Sequence, residues 1–239
     1  MKTMKHYSCM IALALLGVLL VIPGFASSER TGTQTRKTAS FHGISVSSGI
    51  DLYLTQGDAE KVVVKADPDV IDEVLTEVRD GILHIYMKKQ RGWPWDKERA
   101  AYVTFDDLNR LDVSAGADVE SQNAFNLDEI QIAVSSGADV ELDDLTANSV
   151  WLDTSSGSDA ELSGITENLE ASSSSGADIS CGDLVAKYCW VNVSSGADVV
   201  VHVTEELKAS ASSGGDIRYK GNPIKKDISE SSGGDVYKY

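Results

Sequence analysis

Residues 135–140 read Ser-Ser-Gly-Ala-Asp-Val, and close copies of this hexapeptide return along the second half of the chain. A glycine followed two residues later by an aspartate occurs seven times in this array, with glycine spacings of 21, 20, 19, 20, 18 and 19 residues. These residues are Gly116, Gly137, Gly157, Gly176, Gly196, Gly214 and Gly233, with Asp118, Asp139, Asp159, Asp178, Asp198, Asp216 and Asp235. Such a constant period indicates one structural unit per copy.

Apolar residues alternate with polar ones on both sides of each glycine. In one copy the apolar positions are Ile130, Ile132 and Val134 before the glycine, and Val140 and Leu142 after it. A third apolar contact follows in three copies, at Leu145, Ile165 and Leu184. This period of two is typical of strands. The sequence therefore predicts an all-β fold, a single-stranded parallel β-helix (β-solenoid) with about 20 residues per coil.

Coils that superimpose place equivalent residues in files at the strand spacing of roughly 4.8 Å. We expect the seven glycines to form a corner where the backbone needs positive φ. The aspartates and the serines two residues before each glycine have two interpretations, as partners of turn amides or as a calcium-binding ladder. We favour the first, because one aspartate per 20 residues supplies few calcium ligands. No cofactor, metal or catalytic residue is predicted.

Composition excludes several classes of function. The chain has 239 residues, of which 42% are hydrophobic, so it can bury a core, and its net charge is -16. Residues 111–236 alone hold 23 acidic and 6 basic residues. Partners that carry phosphate groups need clustered Lys and Arg, so no nucleic acid partner is expected.

The first 26 residues have the pattern of a signal peptide. Lys2 and Lys5 precede an apolar run over residues 10–22, and Pro-Gly-Phe-Ala at 23–26 predicts cleavage after Ala26. Residues 27–39 are expected to form a flexible leader. No later apolar run has the roughly 20 residues needed to span a bilayer. We therefore expect an exported chain, periplasmic, on the outer surface or secreted, with no membrane span after signal removal.

Residues 40–110 differ from the array but contain an eighth copy, Ser-Ser-Gly-Ile-Asp-Leu at 47–52. Downstream, Asp67-Pro68-Asp69 predicts a helix start, and Asp80-Gly81 predicts the turn of a β-hairpin. Residues 60–66 and 101–105 have strand character. We expect this block to extend the sheet and to cover the N-terminal end of the core.

Residues 41–57, together with 62–67 and Asp-Gly-Ile-Leu-His-Ile at 80–85, resemble the start of the auto-transporter adhesin "head GIN" domain, and the Ser-Gly-Ala-Asp repeats resemble its later portion. The resemblance covers residues 40–239, with an N-terminal part at 40–110 and β-helix repeats at 111–239. It implies a right-handed β-helix in a secreted or surface protein of Bacteroidetes-type bacteria. No catalytic residues are established for this family.

Two cysteines and four tryptophans are further candidates. Cys181 and Cys189 stand where sister repeats have Leu, Ile or Val. They are either two small core side chains or, in an exported protein, a disulfide. Candidate ligand contacts are Trp151 and Trp190, expected to face outward two coils apart, and Trp93 and Trp95 in a basic loop.

Two classes of function fit these patterns. The preferred one is an exported non-enzymatic module, an adhesin or scaffold that binds a glycan or protein at the cell envelope or surface. The alternative is a glycan-degrading β-helix enzyme, a polysaccharide lyase or hydrolase. The sequence contains no Gly-x-Ser-x-Gly nucleophile elbow and no histidine cluster, which favours the binding module. The final coil is expected to be open, which predicts self-association into a homo-oligomer.

Overall fold

The computed structural model describes residues 31–88 and 97–239, and within them 17 strands join into one continuous sheet. The sheet winds into a β-solenoid of about 6 turns with ~20 residues per coil, which confirms the predicted fold class. One 3-10 turn, Ile71–Glu73, stands where the sequence predicts a helix start. In this part of the chain no helix is long and apolar enough to cross a membrane.

The strands divide into an N-terminal group and the repeat array. The N-terminal strands are β1 (Gly32–Arg36), β2 (Gly43–Val46), β3 (Asp51–Gln56), β4 (Lys61–Ala66), β5 (Val74–Arg79), β6 (Ile82–Met87) and β7 (Arg99–Phe105). The array strands are β8 (Arg110–Ser114), β9 (Asp118–Ser121), β10 (Phe125–Ser135), β11 (Asp139–Ser155), β12 (Asp159–Ser174), β13 (Asp178–Val193), β14 (Asp198–Ala211), β15 (Asp216–Lys220), β16 (Lys225–Glu230) and β17 (Asp235–Lys238).

Each long strand follows the coil around corners and so contributes to three faces. In the coil of β11 the strict in-and-out alternation fails at 143–144, 148–149 and 155–157, where two or three consecutive residues lie outside the core. Each coil passes three faces, which we name by the residues of β11 and their equivalents in other coils. The first face is 139–142, the third face follows at 145–147, and the second face comes last, at 149–155. Neighbouring coils are parallel on all three faces.

The turn between the second and first faces contains the repeat glycine. Gly137 and Gly157 both have φ of 65°, and the serine before each has φ of 61°. Two successive left-handed residues make this corner tight, and the amide of Gly137 donates to the carbonyl of Ser156 in the next coil at 3.3 Å. All seven array glycines have positive φ, between 65° and 78°. The turns therefore stack as an ordered column.

The core is formed by the inward side chains of every coil. The alternating residues of the predicted strands are buried, for example Ile130, Ile132, Val140 and Leu142, each at most 3% exposed. The prediction that Ile165 contacts the core is wrong, because its side chain is 63% exposed.

The strand register on the third face explains why Ile165 points outward. This register pairs Gly164 with the buried Leu145 and Ile165 with the outward Thr146. Gly164 therefore takes the position that the sequence predicts for Ile165, and Thr166 takes the next inward position, beside Ala147. The coil of β12 lacks one residue at the preceding corner, and period counting across that corner assigns the wrong side of the strand.

Cys181 and Cys189 are free thiols in the core. Cys181 lies on the first face beside Val201, and Cys189 lies on the second face between Leu169 and Leu207. The two residues lie on different faces of one coil, and both side chains point into its core. Burial raises the pKa of the Cys181 thiol to about 12 and raises that of Cys189 as well.

The N-terminal coils do not stack in chain order. The coil of β2 and β3 lies between the coil of β8 and β9 on one side and the coil of β6 and β7 on the other. Three antiparallel strands then end the parallel stack, with β5 paired to β6, β4 to β7 and β1 to β4. The β5–β6 hairpin turns at Asp80 and Gly81, which both have positive φ, as the sequence predicts.

Candidate functional site

An acidic groove runs along the first face. The aspartates of the repeats pair in register from coil to coil, so Asp118, Asp139, Asp159, Asp178, Asp198, Asp216 and Asp235 form one file. Two residues further on, Glu120, Glu141 and Glu161 form a second file. The three glutamates and four of the aspartates, Asp118, Asp139, Asp159 and Asp178, line a groove of about 560 Å³. At its N-terminal end the rings of Tyr53 and Tyr102 stack 4.9 Å apart.

Two carboxyl groups of this groove, those of Asp118 and Asp159, have a raised pKa. Partial burial, with the neighbouring charges of Asp139 and Asp178, raises the pKa of Asp159. Burial raises the pKa of Asp118 too, and the charges of Asp139 and Asp51 add to it. Desolvation and like charge both disfavour the charged form, so packing these acids in a file costs stability.

Some aspartates bind backbone amides of the next coil. The Asp178 carboxylate accepts a hydrogen bond from the amide of Asp198 at 3.1 Å. Among the residues that the structure describes, no group of three or more His, Cys, Asp or Glu side chains is placed to hold a metal ion. Asp178 thus caps an amide of the neighbouring coil.

The second face carries a file that contains both described tryptophans. Its members, each paired with the next coil, are Arg110, Gln131, Trp151, Glu170, Trp190, Lys208 and Asp227. We call it the tryptophan file. Trp151 and Trp190 are half-buried and stand two coils apart, separated by Glu170. Trp93 and Trp95, the other two candidate aromatics, lie outside the described residues.

The two tryptophans have different surroundings. The ring of Trp190 stacks near Tyr188, with centroids 6.5 Å apart, and the Lys208 ammonium lies 5.7 Å from its centroid. A cation over the ring makes a cation–π contact and covers part of one face. Trp151 instead borders an open space on the side of Gln131.

This space is a notch in the neighbouring file. This neighbouring file consists of the outward residues that lie two positions after each member of the tryptophan file. Its members are Asp112, Ala133, Asp153, Ser172, Asn192, Ser210 and Ser229. Ala133 has the shortest side chain in this file, so it leaves a depression of about 300 Å³ between its neighbours. We call this depression, lined by Arg110, Asp112, Gln131, Ala133, Trp151 and Asp153, the Ala133 notch.

A groove of hydroxyl groups continues from the notch. Ser135, Ser155 and Ser174, each two residues before a repeat glycine, line a groove of about 420 Å³ with Ser172 and Asn192. Its surface offers many hydrogen-bond donors and acceptors and little charge. The second face therefore suits a polar, uncharged ligand better than the first face does.

Sequence reasoning identified Trp151 but missed its notch. The position four residues before each glycine is polar throughout the array except at Ala133. This exception is visible in the aligned repeats and was the available signal. Arg110, Asp112 and Asp153 gave no signal by themselves, because charged residues are frequent on any outward strand face.

The model of the family described as "Putative auto-transporter adhesin, head GIN domain" matches residues 40–223. Among curated proteins, no sequence matches the chain.

Three solved structures illustrate which known proteins have the same fold. A putative adhesin from Bacteroides fragilis has a TM-score of 0.84 at 21% identity, covering 89% of this chain and 98% of its own. A putative lipid binding protein from Parabacteroides distasonis has a TM-score of 0.69 at 19% identity, covering 88% and 98%. A putative adhesin from Parabacteroides merdae has a TM-score of 0.68 at 16% identity, covering 89% and 97%. At these identities the likeness extends to the fold alone.

Proposed function

We propose that this protein, which belongs to the putative auto-transporter adhesin, head GIN domain family, is an exported, non-enzymatic module that binds a glycan or protein at the cell envelope or surface. The observation that carries the proposal is the second face. It presents parallel files of Trp, Ser and Asn side chains on a rigid solenoid, with the Ala133 notch and the hydroxyl groove adjoining each other. Ordered outward files of this kind can contact an extended ligand without rearrangement.

A binding screen tests this proposal. The chain without residues 1–26 is immobilised and exposed to a glycan array and to proteins extracted from bacterial envelopes. We expect a bound glycan or protein, and we expect Trp151→Ala with Trp190→Ala to weaken binding. Ile165→Ala is the control, because Ile165 is a large exposed apolar residue on the third face. Absence of any ligand in both arms, or equal losses in control and variant, contradicts the proposal.

The alternative, a glycan-degrading enzyme, is separated by product analysis. Glycoside hydrolysis needs a proton donor with a raised pKa and a second carboxylate. Asp112 and Asp153 flank the Ala133 notch, and Asp112 is paired with Arg110. Incubation with the bound polysaccharide should release no new reducing ends. Release that Asp153→Asn abolishes would establish the enzyme and overturn the proposed binding module.

Export is tested at the N-terminus of the protein itself. When the whole chain is expressed in a Gram-negative bacterium, we expect its envelope or secreted fraction to contain a form that begins at Ser27. Edman sequencing or intact mass measures this directly. A cytoplasmic form that retains Met1 contradicts export.

Self-association through the last coil is part of the proposal. There β16 pairs with β14, and the Ile228 side chain, next to the buried Ala209, stays 40% exposed. Tyr237 on β17 is 43% exposed. Apolar side chains beside a strand edge favour pairing with a second copy. Light scattering should show a dimer that Ile228→Asp dissociates, and a strict monomer at high concentration contradicts this.

A further inference from the structure

The Ala133 notch combines an apolar wall with polar groups that border one space. Its wall is the indole of Trp151, which is half-buried. Its floor is the methyl group of Ala133, and Gln131 and Asp153 border it. At about 300 Å³ the notch is at the lower limit of small-ligand sites, which span roughly 300–1,000 Å³. It is large enough for one small ring and too small for a folded partner.

Arg110 is oriented as a hydrogen-bond donor at the edge of the notch. Its Nε donates to Oδ2 of Asp112 at 2.8 Å, and this carboxylate raises the pKa of Arg110. A guanidinium has five N–H groups, so one bond to Asp112 leaves others for a ligand. The Arg110 side chain is 52% exposed, which keeps those groups accessible.

These groups together match a pyranose ring. A pyranose presents C–H groups on its ring faces and hydroxyls around its rim, so it needs an apolar wall and hydrogen-bonding partners at the same place. Trp151 supplies the wall, the carboxylates of Asp112 and Asp153 accept from hydroxyls, and Gln131 can donate and accept. A hydrocarbon ligand would leave these polar groups without partners.

The charge of the notch selects against anionic sugars. Asp112 and Asp153 line it, Glu170 follows Trp151 in the tryptophan file, and Arg110 is the single cation among the lining residues. A uronic acid or a phosphate would therefore meet more negative charge than positive. Trp190 offers no equivalent site, because Lys208 lies over its ring.

We propose that the Ala133 notch binds one uncharged hexopyranose unit of a polysaccharide, with the sugar ring against Trp151. The proposal deepens the proposed binding function and rests on it. Trp190 stands two coils, about 10 Å, further along the axis. A polysaccharide held in the notch can continue over the hydroxyl groove toward that residue.

Native affinity electrophoresis tests the proposal with β-glucan, mannan and galactan as uncharged probes and polygalacturonate as the anionic one. The chain without residues 1–26 is compared with Ala133→Leu, which fills the notch from an exposed position, and with Trp151→Ala. Ser229→Leu is the matched control, because Ser229 occupies the same file five coils away, about 24 Å from Ala133 and beyond the residues that line the hydroxyl groove. Thermal unfolding of all four proteins verifies that they fold.

We expect at least one uncharged polysaccharide to retard the wild-type chain, and polygalacturonate to leave it unretarded. Both Ala133→Leu and Trp151→Ala should raise the dissociation constant about tenfold or more, with Ser229→Leu within about twofold of wild type. Retardation that survives Ala133→Leu overturns the notch but leaves the proposed binding function standing. No retardation by any uncharged probe overturns the sugar proposal, and the binding function then depends on the protein arm of the earlier screen.

Discussion

In the repeat turn the serine and the glycine that follows it both have left-handed backbone. This conformation costs free energy at the serine, whereas glycine adopts it without the steric penalty of a Cβ. Gly157 has φ of 65°, and a Cβ added there meets nothing within 4 Å. Gly157→Ala should therefore lower the free energy of unfolding by only about 1 kcal/mol, the cost of a left-handed L-residue. Urea unfolding monitored by tryptophan fluorescence measures this change.

Gly164→Ala is the comparison for this prediction. Gly164 has φ of 125°, and its added Cβ would lie 2.1 Å from the carbonyl oxygen of Leu145 in the previous coil. Because backbone cannot yield as a flexible side chain can, we expect a loss of more than about 3 kcal/mol. Equal losses at the two glycines would contradict the view that backbone angle alone limits position 157.

The two core cysteines should be chemically silent in the folded protein. Cys181 and Cys189 are at most 1% exposed, and burial raises the pKa of both thiols, so little thiolate forms at neutral pH. We expect a maleimide to label neither residue under native conditions and to label both in denaturant, without reductant. Failure to label them in denaturant until a reductant is added would reveal a disulfide.

At the scale of the strand stack, the aspartate file opposes folding near neutral pH. The folded state raises the pKa of Asp159, so its charge is destabilising above that raised pKa and harmless below the unfolded value near 3.9. Asp159→Asn should therefore stabilise the protein at pH 7, by up to about 1 kcal/mol. The gain should shrink as the pH falls through the raised pKa. Urea midpoints at pH 7 and pH 4 measure it.

Asp67 provides the control of opposite sign. A hydrogen bond from Lys97 at 2.7 Å lowers the pKa of this carboxyl. Asp67→Asn should destabilise the protein at pH 7, and the loss should persist at pH 4, because it disappears only as the pH falls through the lowered pKa. If both variants changed stability in the same direction, the assigned causes of the two shifts would be wrong.

The strands show what the sequence could and could not determine. The period of about 20 predicts the register of Asp139 with Asp159, because each coil adds nearly the same number of residues. The same counting fails at Ile165, where one missing residue at a corner reverses inside and outside. The Ala133 notch also escaped prediction, since a depression depends on how its neighbours are placed across three coils.

For the whole molecule, charge repulsion should make stability depend on salt. Residues 111–236 hold 23 acidic and 6 basic residues, wound into coils only about 4.8 Å apart. Added NaCl shortens the screening length from about 10 Å at 0.1 M toward 3 Å at 1 M. We expect the thermal midpoint to rise by several degrees between 0.02 and 0.5 M NaCl, measured by calorimetry.

Calcium separates general screening from specific binding. If the aspartate file serves mainly to cap amides, CaCl2 and MgCl2 at equal ionic strength should raise the midpoint equally. A markedly larger rise with calcium, reversed by a chelator, would instead support the calcium ladder.

The order of the N-terminal coils was beyond sequence reasoning. The eighth copy at 47–52 predicts another coil, and the structure contains it as β2 and β3. Nothing in its residues indicates that β6 and β7, made later, pack on its outer side. That arrangement depends on long-range pairing, which local periodicity does not encode.

This order of the coils determines when each coil can pair with its neighbours during synthesis. As the chain emerges from a ribosome, β2 and β3 appear early but find their neighbours on either side only when residues 82–121 have followed. The coil of β2 and β3 therefore stays unpaired at first, whereas each later coil can pair with a coil that has already formed. Until residue 121 has been made, the edges of β2 and β3 are open to pairing with other chains.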